Sequence, residues 1–405
     1  MTKAIIVRSA AILALALIPA PALANGFFIY EVSAAGVGMG GAQMAGTDEP
    51  SAVFYNPAAM THLPGVQFQL TLTTYIPTAE HVSPTGLSES ASAMPQPVPA
   101  LFATWKPLSW LAAGFGMYTA FGLSIEWPDD WSGSFLAVES SLQSTQLQPS
   151  IAFGPWHGLS IGGGFDFLLG SVEIRRAYPG LRLDDGTPAR MRLGGNSWGW
   201  GTNLGIHYTP IDLLSLAVIY RSQIQVKLDP GAVDFTFPAS FSGMLNDQDV
   251  KTGITVPQIL GAGARLKPIG DLALEFDAVY AFWSSYNKLV FEFSEMAPAE
   301  SVKNWSDAWQ FRLGGQYRIK KWTVRTGIIL DLDPIPDESL DPMLPDATRI
   351  DVSAGGGYSF GTFNVDLAYM YVYVFDRTVD ESQNVFPGTY KSTVHVVSLG
   401  AGAKF

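Results

Sequence analysis

The sequence predicts an all-β protein, a 14-stranded antiparallel transmembrane β-barrel. Three observations lead there. From Gly65 onward, apolar and polar residues alternate with period two, as strands with two unlike faces require. The connections between these stretches are alternately short and long, as in outer-membrane barrels. The chain ends on an alternating stretch in which Val397, Leu399, Ala401, Ala403 and the terminal Phe405 share one face.

Composition limits the alternatives. Of the 405 residues, 47% are hydrophobic and only 15% charged, against a usual charged share of about 25%. Disorder needs the opposite balance. With 24 basic and 36 acidic residues the net charge is −12, so nucleic acid is not expected as a partner. There is no cysteine, which excludes disulfide scaffolds, thiol catalysis and Cys-ligated metal.

Taken in order, residues 1–24 read as a signal peptide. Lys3 and Arg8 precede an apolar run from Ala10 to Ala24, and Ala22-Leu23-Ala24 forms the cleavage site. Loss of Lys3 and Arg8 takes the charge from −12 to −14. The run is too short and too rich in proline for a spanning helix, and no later stretch approaches the ~18 apolar residues such a helix needs. Residues 25–64 are rich in small side chains and lack sustained alternation.

Residues 65–405 carry the strands. Leu216, Val218, Tyr220, Ile224, Val226 and Leu228 are assigned to one face of a single strand, opposite Arg221, Gln223, Gln225 and Lys227. Leu272 to Phe282 opposes Leu274, Phe276 and Tyr280 to Glu275 and Asp277. Phe363 to Phe375 opposes Tyr369, Tyr371 and Tyr373 to Asn364 and Asp366. Six short connections are placed around Lys106-Pro107, Pro155-Trp156, Thr209-Pro210, Pro268-Ile269, Lys320-Lys321 and Gly361. Seven long ones are placed at about 80–97, 124–138, 179–190, 229–250, 294–304, 333–347 and 378–389. Trp105, Trp110, Trp156 and Trp322, near short turns, suit an interfacial aromatic belt. The terminal Phe resembles the signal read by the outer-membrane assembly machinery.

Several motifs fail their structural requirements. Gly36-Val37-Gly38-Met39-Gly40-Gly41 matches G-x-G-x-x-G but lacks the preceding strand and βαβ unit of a dinucleotide site. It reads as a close-packed segment. Gly195-Asn196-Ser197-Trp198-Gly199 matches the nucleophile-elbow pattern but continues as a strand. The five histidines show no metal spacing. The acidic, proline-rich stretch from Asp331 to Asp346 lacks the order of a calcium loop and reads as solvated. The inward charges Arg221, Lys227, Glu275, Asp277, Arg312, Arg325, Arg349, Asp351 and Asp366 read as a mutually paired lumen, with one or two left to meet a ligand's anionic head. Phe235, Phe237 and Phe241 crowd a loop on the outer side, suiting either packing or capture of a lipophile.

An ordered set of segments now carries a family resemblance. Gly26-Phe27-Phe28, Gly36-Val37-Gly38, Tyr55-Asn56-Pro57-Ala58-Ala59-Met60, Phe121-Gly122-Leu123, Tyr220-Arg221-Ser222, Trp322 to Gly327, and Pro345-Asp346 before Arg349 resemble the FadL-type outer-membrane transporters along the whole mature chain. The resemblance implies that residues 25–64 form an N-terminal hatch, or plug, inside the barrel of 65–405. It implies passive uptake of long-chain fatty acids or of aromatic and aliphatic hydrocarbons. The route would be an apolar pocket and a lateral exit where the third strand bends, here about Met117 to Gly122.

Site residues implied in the same way are Phe27 and Phe28 at the pocket, Asn56, Pro57 and Ala58 near the gap with Met117, Phe121 and Gly122, and Phe235, Phe237 and Phe241 at an outer capture groove. Relatives carrying fatty acids place basic residues on the fifth strand and before the tenth. Ser171 and Ser306 are read there, which favours neutral ligands unless Arg175, Lys303 or Arg325 compensates. No catalytic residue, cofactor or metal is expected. Expected partners are hydrophobic small molecules, outer-membrane lipid and lipopolysaccharide, and the assembly machinery, with the chain a monomer in the bacterial outer membrane. A porin-like channel, an adhesin or receptor, and an outer-membrane hydrolase dependent on Ser197 are the rival readings.

Overall fold

In the computed structural model, which describes residues 26–405 apart from 47, 242–244 and 382–383, the alternating stretches become fourteen antiparallel strands. The predicted signal peptide at 1–24 lies outside the described residues. The strands are β1 (Val66–Val82), β2 (Gln96–Leu108), β3 (Leu111–Tyr118 resuming at Leu123–Glu126), β4 (Glu139–Trp156), β5 (Leu159–Arg182), β6 (Pro188–Ile211) and β7 (Leu214–Arg221 resuming at Ile224–Thr236). They continue with β8 (Gln248–Val256 resuming at Ile259–Ile269), β9 (Leu272–Ala281), β10 (Ala308–Ile319), β11 (Trp322–Asp331), β12 (Arg349–Ser359), β13 (Phe363–Val374) and β14 (Gly388–Lys404). Closure runs from Gln67↔Lys404 to Val82↔Thr389 between β1 and β14. A closed sheet has no free edge, which lets strands cross a bilayer.

The alternation sorts the two environments. On β1, Phe68, Leu70 and Leu72 face outward, while Gln67, Gln69, Thr71 and Thr73 are buried inside. Trp105, Trp110, Trp156 and Trp322 are exposed near the short turns, as a belt requires. Inside, the charges pair: Arg221 with Asp166 at 3.1 Å, Arg349 with Asp331 at 2.8 Å, and Arg325 with Asp366 at 2.6 Å.

Three expectations need correction. The short turns lie at 109–110, 157–158, 212–213 and 270–271, past the prolines taken to mark them. Pro107, Pro155, Pro210 and Pro268 instead sit in strand ends where the register slips before the turn, because a residue without an N–H is tolerated at a bulge. The long connection assigned to 229–250 is largely strand, with only 237–247 outside it. Pairing of β7 is interrupted at Ser222 and Gln223, which exchanges the faces. Leu216, Val218 and Tyr220 face the membrane, whereas Ile224, Val226 and Leu228 are buried inside and Lys227 points out.

The described residues of 26–64 pack against the inner face of the wall, bonded to Asp277, Glu275 and Arg221. They form α1 (Ala34–Gly38), α2 (Ala52–Tyr55) and a 3-10 turn (Pro57–His62). Such short helices gain little from their own hydrogen bonds; the wall holds them. The glycine motif is the closest approach. Gly40, at φ +62°, lies against the Gly327 backbone of β11, and a Cβ on Gly38 would come within 3.3 Å of Gly355 Cα on β12. The motif therefore brings backbone onto wall.

Candidate functional site

The site begins at the interruption of β3. Its first piece pairs with β2 up to Leu101↔Met117, and its second piece pairs only with β4. Between them, residues 119–122 turn into the barrel and meet the hatch. Ile29 N donates to Ala120 O at 2.8 Å and Gly122 N to Phe27 O at 2.9 Å, with a bridge between Phe28 and Phe121. Thr119 Oγ1 donates to Ser144 O at 2.7 Å, and Ser144 Oγ to Phe121 O. Residues 96–100 of β2 keep their partners on β1, from Gln96↔Tyr75 to Ala100↔Thr71, and have none on β3. The wall thus has a lateral gap between β2 and the bend. Met117 precedes the bend and faces outward, while Phe121 and Gly122 lie within it.

A cavity lies on the outer side of the hatch. Phe27, Leu123, Val172, Ile174, Leu193, Val226, Leu228, Trp305 and Leu344 line it. The face exchange in β7 explains why Val226 and Leu228 are there. Its polar groups are few: Ser140, Ser141, Ser197, Thr252, Ser339, and the pair Lys303–Asp341, whose Nζ and Oδ2 stand 2.6 Å apart. Such a lining suits an apolar ligand with at most one polar end.

A run of aromatic rings connects cavity and gap. Phe27 stands 4.8 Å from Trp283, 6.0 Å from Trp305 and 6.2 Å from Phe121, between ring centroids. Phe28 follows at 5.3 Å from Phe121, then Tyr30, Phe54 and Tyr118 at successive spacings of 5.7, 5.2 and 4.9 Å. Beneath it, Arg221 clamps α2 to the wall: Nη2 donates to Phe54 O at 2.6 Å, and the guanidinium lies 4.6 Å over the Phe54 ring. The same side chain donates to Tyr118 Oη, the last strand residue before the bend, at 3.2 Å.

The other predicted site residues fall as follows. Asn56, Pro57 and Ala58 lie against β5 and β6: a Cβ on Gly162 would strike Ala58, and one on Gly205 would strike Asn56. The Asn56 side chain donates to Met44 O at 3.0 Å and to Ile206 O at 3.1 Å, and accepts from Ala58 N at 3.1 Å. It is Val53 and Met60, flanking that motif, that reach β3 at Gly114. On the outermost hairpins Phe237 is the hub: Tyr178, Phe235 and Phe241 each pack against its ring in a tilted arrangement, at 5.6 to 6.1 Å.

Arg325 is corrected: it lies beside Gly38 in a polar cleft lined by Asp48, Lys320 and Lys404, away from the apolar cavity, and is held by Asp366. Ser171 and Ser306 are corrected too. Ser171 bonds Gln143 at 3.5 Å while its neighbour Val172 lines the cavity, and Ser306 is exposed while Lys303 and Trp305 point in. The cavity therefore holds a cation, Lys303, three residues before Ser306 in the segment between strands.

The acidic stretch is not solvated. Asp333 and Asp337 bind Arg377, Asp341 binds Lys303, and Asp346 accepts from Gly26 N and Ala347 N, each at 3.0 Å. Burial, reinforced by Asp333, pushes the Asp346 carboxyl up to about 7. This loop caps the barrel over the cavity and meets the start of the hatch. Ser197 lies in mid-strand on β6, with its hydroxyl lining the cavity, so the elbow geometry is absent there. Among the described residues, no group of three or more His, Asp or Glu side chains is arranged to hold a metal.

Comparison with known proteins agrees with this architecture. Residues 15–405 match the family described as outer membrane protein transport protein (OMPP1/FadL/TodX). A long-chain fatty acid transport protein of Escherichia coli is 25% identical, covering 91% of this chain and 92% of the relative. A 47 kDa outer membrane protein of Pasteurella multocida is 24% identical, covering 97% of each. Among solved structures, a FadL homologue of Pseudomonas aeruginosa superposes with a TM-score of 0.82 at 20% identity, covering 94% of this chain and all of that one. The toluene transporter TodX of Pseudomonas putida gives 0.71 at 17%, covering 92% and 98%.

Proposed function

Because this outer-membrane chain belongs to the outer membrane protein transport protein family (OMPP1/FadL/TodX), we propose that it admits hydrophobic compounds passively and releases them sideways through the gap between β2 and β3. One observation carries the reading: an apolar cavity is joined by Phe27 and Phe121 to a break in the barrel wall. A water-filled pore would not help such molecules, since they partition poorly into water. Leaving through the wall delivers them to hydrocarbon without crossing the hatch. Diffusion down a gradient supplies the drive, and the chain acts as a monomer without cofactor or catalysis.

The ligand is uncharged by preference. Lys303 is neutralised by Asp341 at 2.6 Å, so a carboxylate must displace Asp341 or be buried without a partner, and both are costly. Neutral aromatic or aliphatic hydrocarbons meet no such cost. Phe235, Phe237 and Phe241 give the outer hairpins an apolar surface on which such molecules collect before entering.

The test is uptake of labelled toluene and labelled oleate by cells that lack their own transporter of this type and express this chain. A deletion of Asn56 to Ala58 serves as the control. Faster entry of toluene than of oleate, lost in the deletion, is expected. Uptake of neither by a correctly assembled barrel contradicts the reading.

A further inference from the structure

The gap raises a hydrogen-bonding problem. An open strand edge facing hydrocarbon carries bare N–H and C=O groups, and each unsatisfied group costs free energy. On the β3 side the hatch answers it, through Ile29 N to Ala120 O and Gly122 N to Phe27 O. On the β2 side, residues 96–100 have no neighbour across the gap.

One bond settles which way each β2 residue points. In an antiparallel ladder, successive residues direct their N–H and C=O alternately to the two neighbouring strands. Lys106 N donates to Gly65 O at 2.9 Å, on the β1 side. The register runs unbroken from Trp105↔Val66 to Gln96↔Tyr75. Even-numbered residues of β2 therefore address β1, and odd-numbered ones address β3. Pro97 and Pro99 are odd-numbered. Each stands where an N–H would project into the gap, and proline has none. Extending the pairing of Leu101 with Met117 by the same register would set Pro99 opposite Thr119 and Pro97 opposite Phe121. Half of the bonds that would zip those pairs are missing.

We infer that Pro97 and Pro99 are positioning residues that hold the lateral gap open. They deny the β3 backbone the donors needed to close the wall, and they take two bare N–H groups off an edge that faces lipid. The inference rests on reading the gap as the exit route.

The test uses Pro97→Ala with Pro99→Ala, which restores both donors. Pro107→Ala beside a periplasmic turn is the control. Closure is read directly by adding Val98→Cys and Ala120→Cys, which the extended register would set opposite each other in a chain with no other cysteine. The expected result is a disulfide that forms in the double-proline variant and stays scarce with the prolines in place. Most toluene uptake should be lost in the same variant without the cysteines, and Pro107→Ala should retain it. Unchanged uptake, or lost uptake without the cross-link, overturns the inference. If even the unmodified chain fails to take up toluene, the transport reading fails instead, and the cross-link alone still decides whether the prolines hold the strands apart.

Discussion

The two flanks of the hatch are fastened by different chemistry. The stretch from Gly38 to Asp48 is bolted to β8–β12. Asp277 Oδ2 accepts from Gln43 N at 2.9 Å and Met44 N at 3.1 Å, and Glu275 Oε1 accepts from Ala45 N at 2.6 Å. Asp48 binds Arg265 and Arg318. Burial opposes its ionisation, yet Arg265, Arg318 and Lys267 hold its carboxyl down to about 2, so this anchor persists through physiological acidity. The stretch from Phe27 to Tyr30 meets the bent strand mainly through aromatic edges and two backbone bonds. Hydrogen bonds to buried carboxyl groups and ion pairs are directional, whereas aromatic contacts tolerate small displacements. The difference assigns motion to the Phe27 flank and retention to the Asp48 flank.

Breaking the bolted flank has the largest expected effect. Asp277→Ala leaves two buried N–H groups without an acceptor, at about 1–3 kcal/mol each. The hatch should loosen and the barrel should conduct ions steadily in planar bilayers, where the unmodified chain conducts little. Unchanged conductance would mean that the carboxylate does not hold the hatch.

Phe27→Ala makes the matching cut on the other flank. It removes a ring 3% exposed among Trp283, Tyr286, Trp305 and Phe121. Cavity formation costs about 3–5 kcal/mol, and it widens the passage from cavity to gap. Toluene uptake should accelerate severalfold without an ion leak. A leak would show that this flank seals the barrel as well.

The smallest effect concerns ligand choice. Lys303→Met removes the cation identified in the cavity while keeping the stem volume. The ratio of oleate to toluene uptake should fall, with toluene uptake little changed. A rise in that ratio would show that Asp341, freed of its partner, is not what excludes the carboxylate.

Much of the barrel was legible because a wall between lipid and lumen enforces alternation, as along Phe68, Leu70 and Leu72. The lateral gap was only implied by resemblance, since alternation does not mark where a strand parts from its neighbour. Three features were misread for physical reasons. The face exchange at Ser222 and Gln223 leaves apolar residues on both sides of the break, so composition does not register it. Pro97 falls at the end of the long connection placed at 80–97, yet the strand already starts at Gln96; proline is tolerated there because that stretch is an edge. The stretch from Asp331 to Asp346 reads as solvated because two of its cationic partners, Lys303 and Arg377, lie well outside it on either side in the sequence.

The central claim is that ligand leaves sideways while the hatch stays in place. Ala34→Cys with Gly400→Cys tests it most directly, since a Cβ on Gly400 would stand 3.1 Å from that of Ala34, near disulfide reach, in a chain without other cysteines. Toluene uptake by cells carrying the oxidised, cross-linked protein should equal uptake after reduction. Uptake abolished by the cross-link and restored by reduction would mean that the hatch must leave the barrel, and would contradict lateral release.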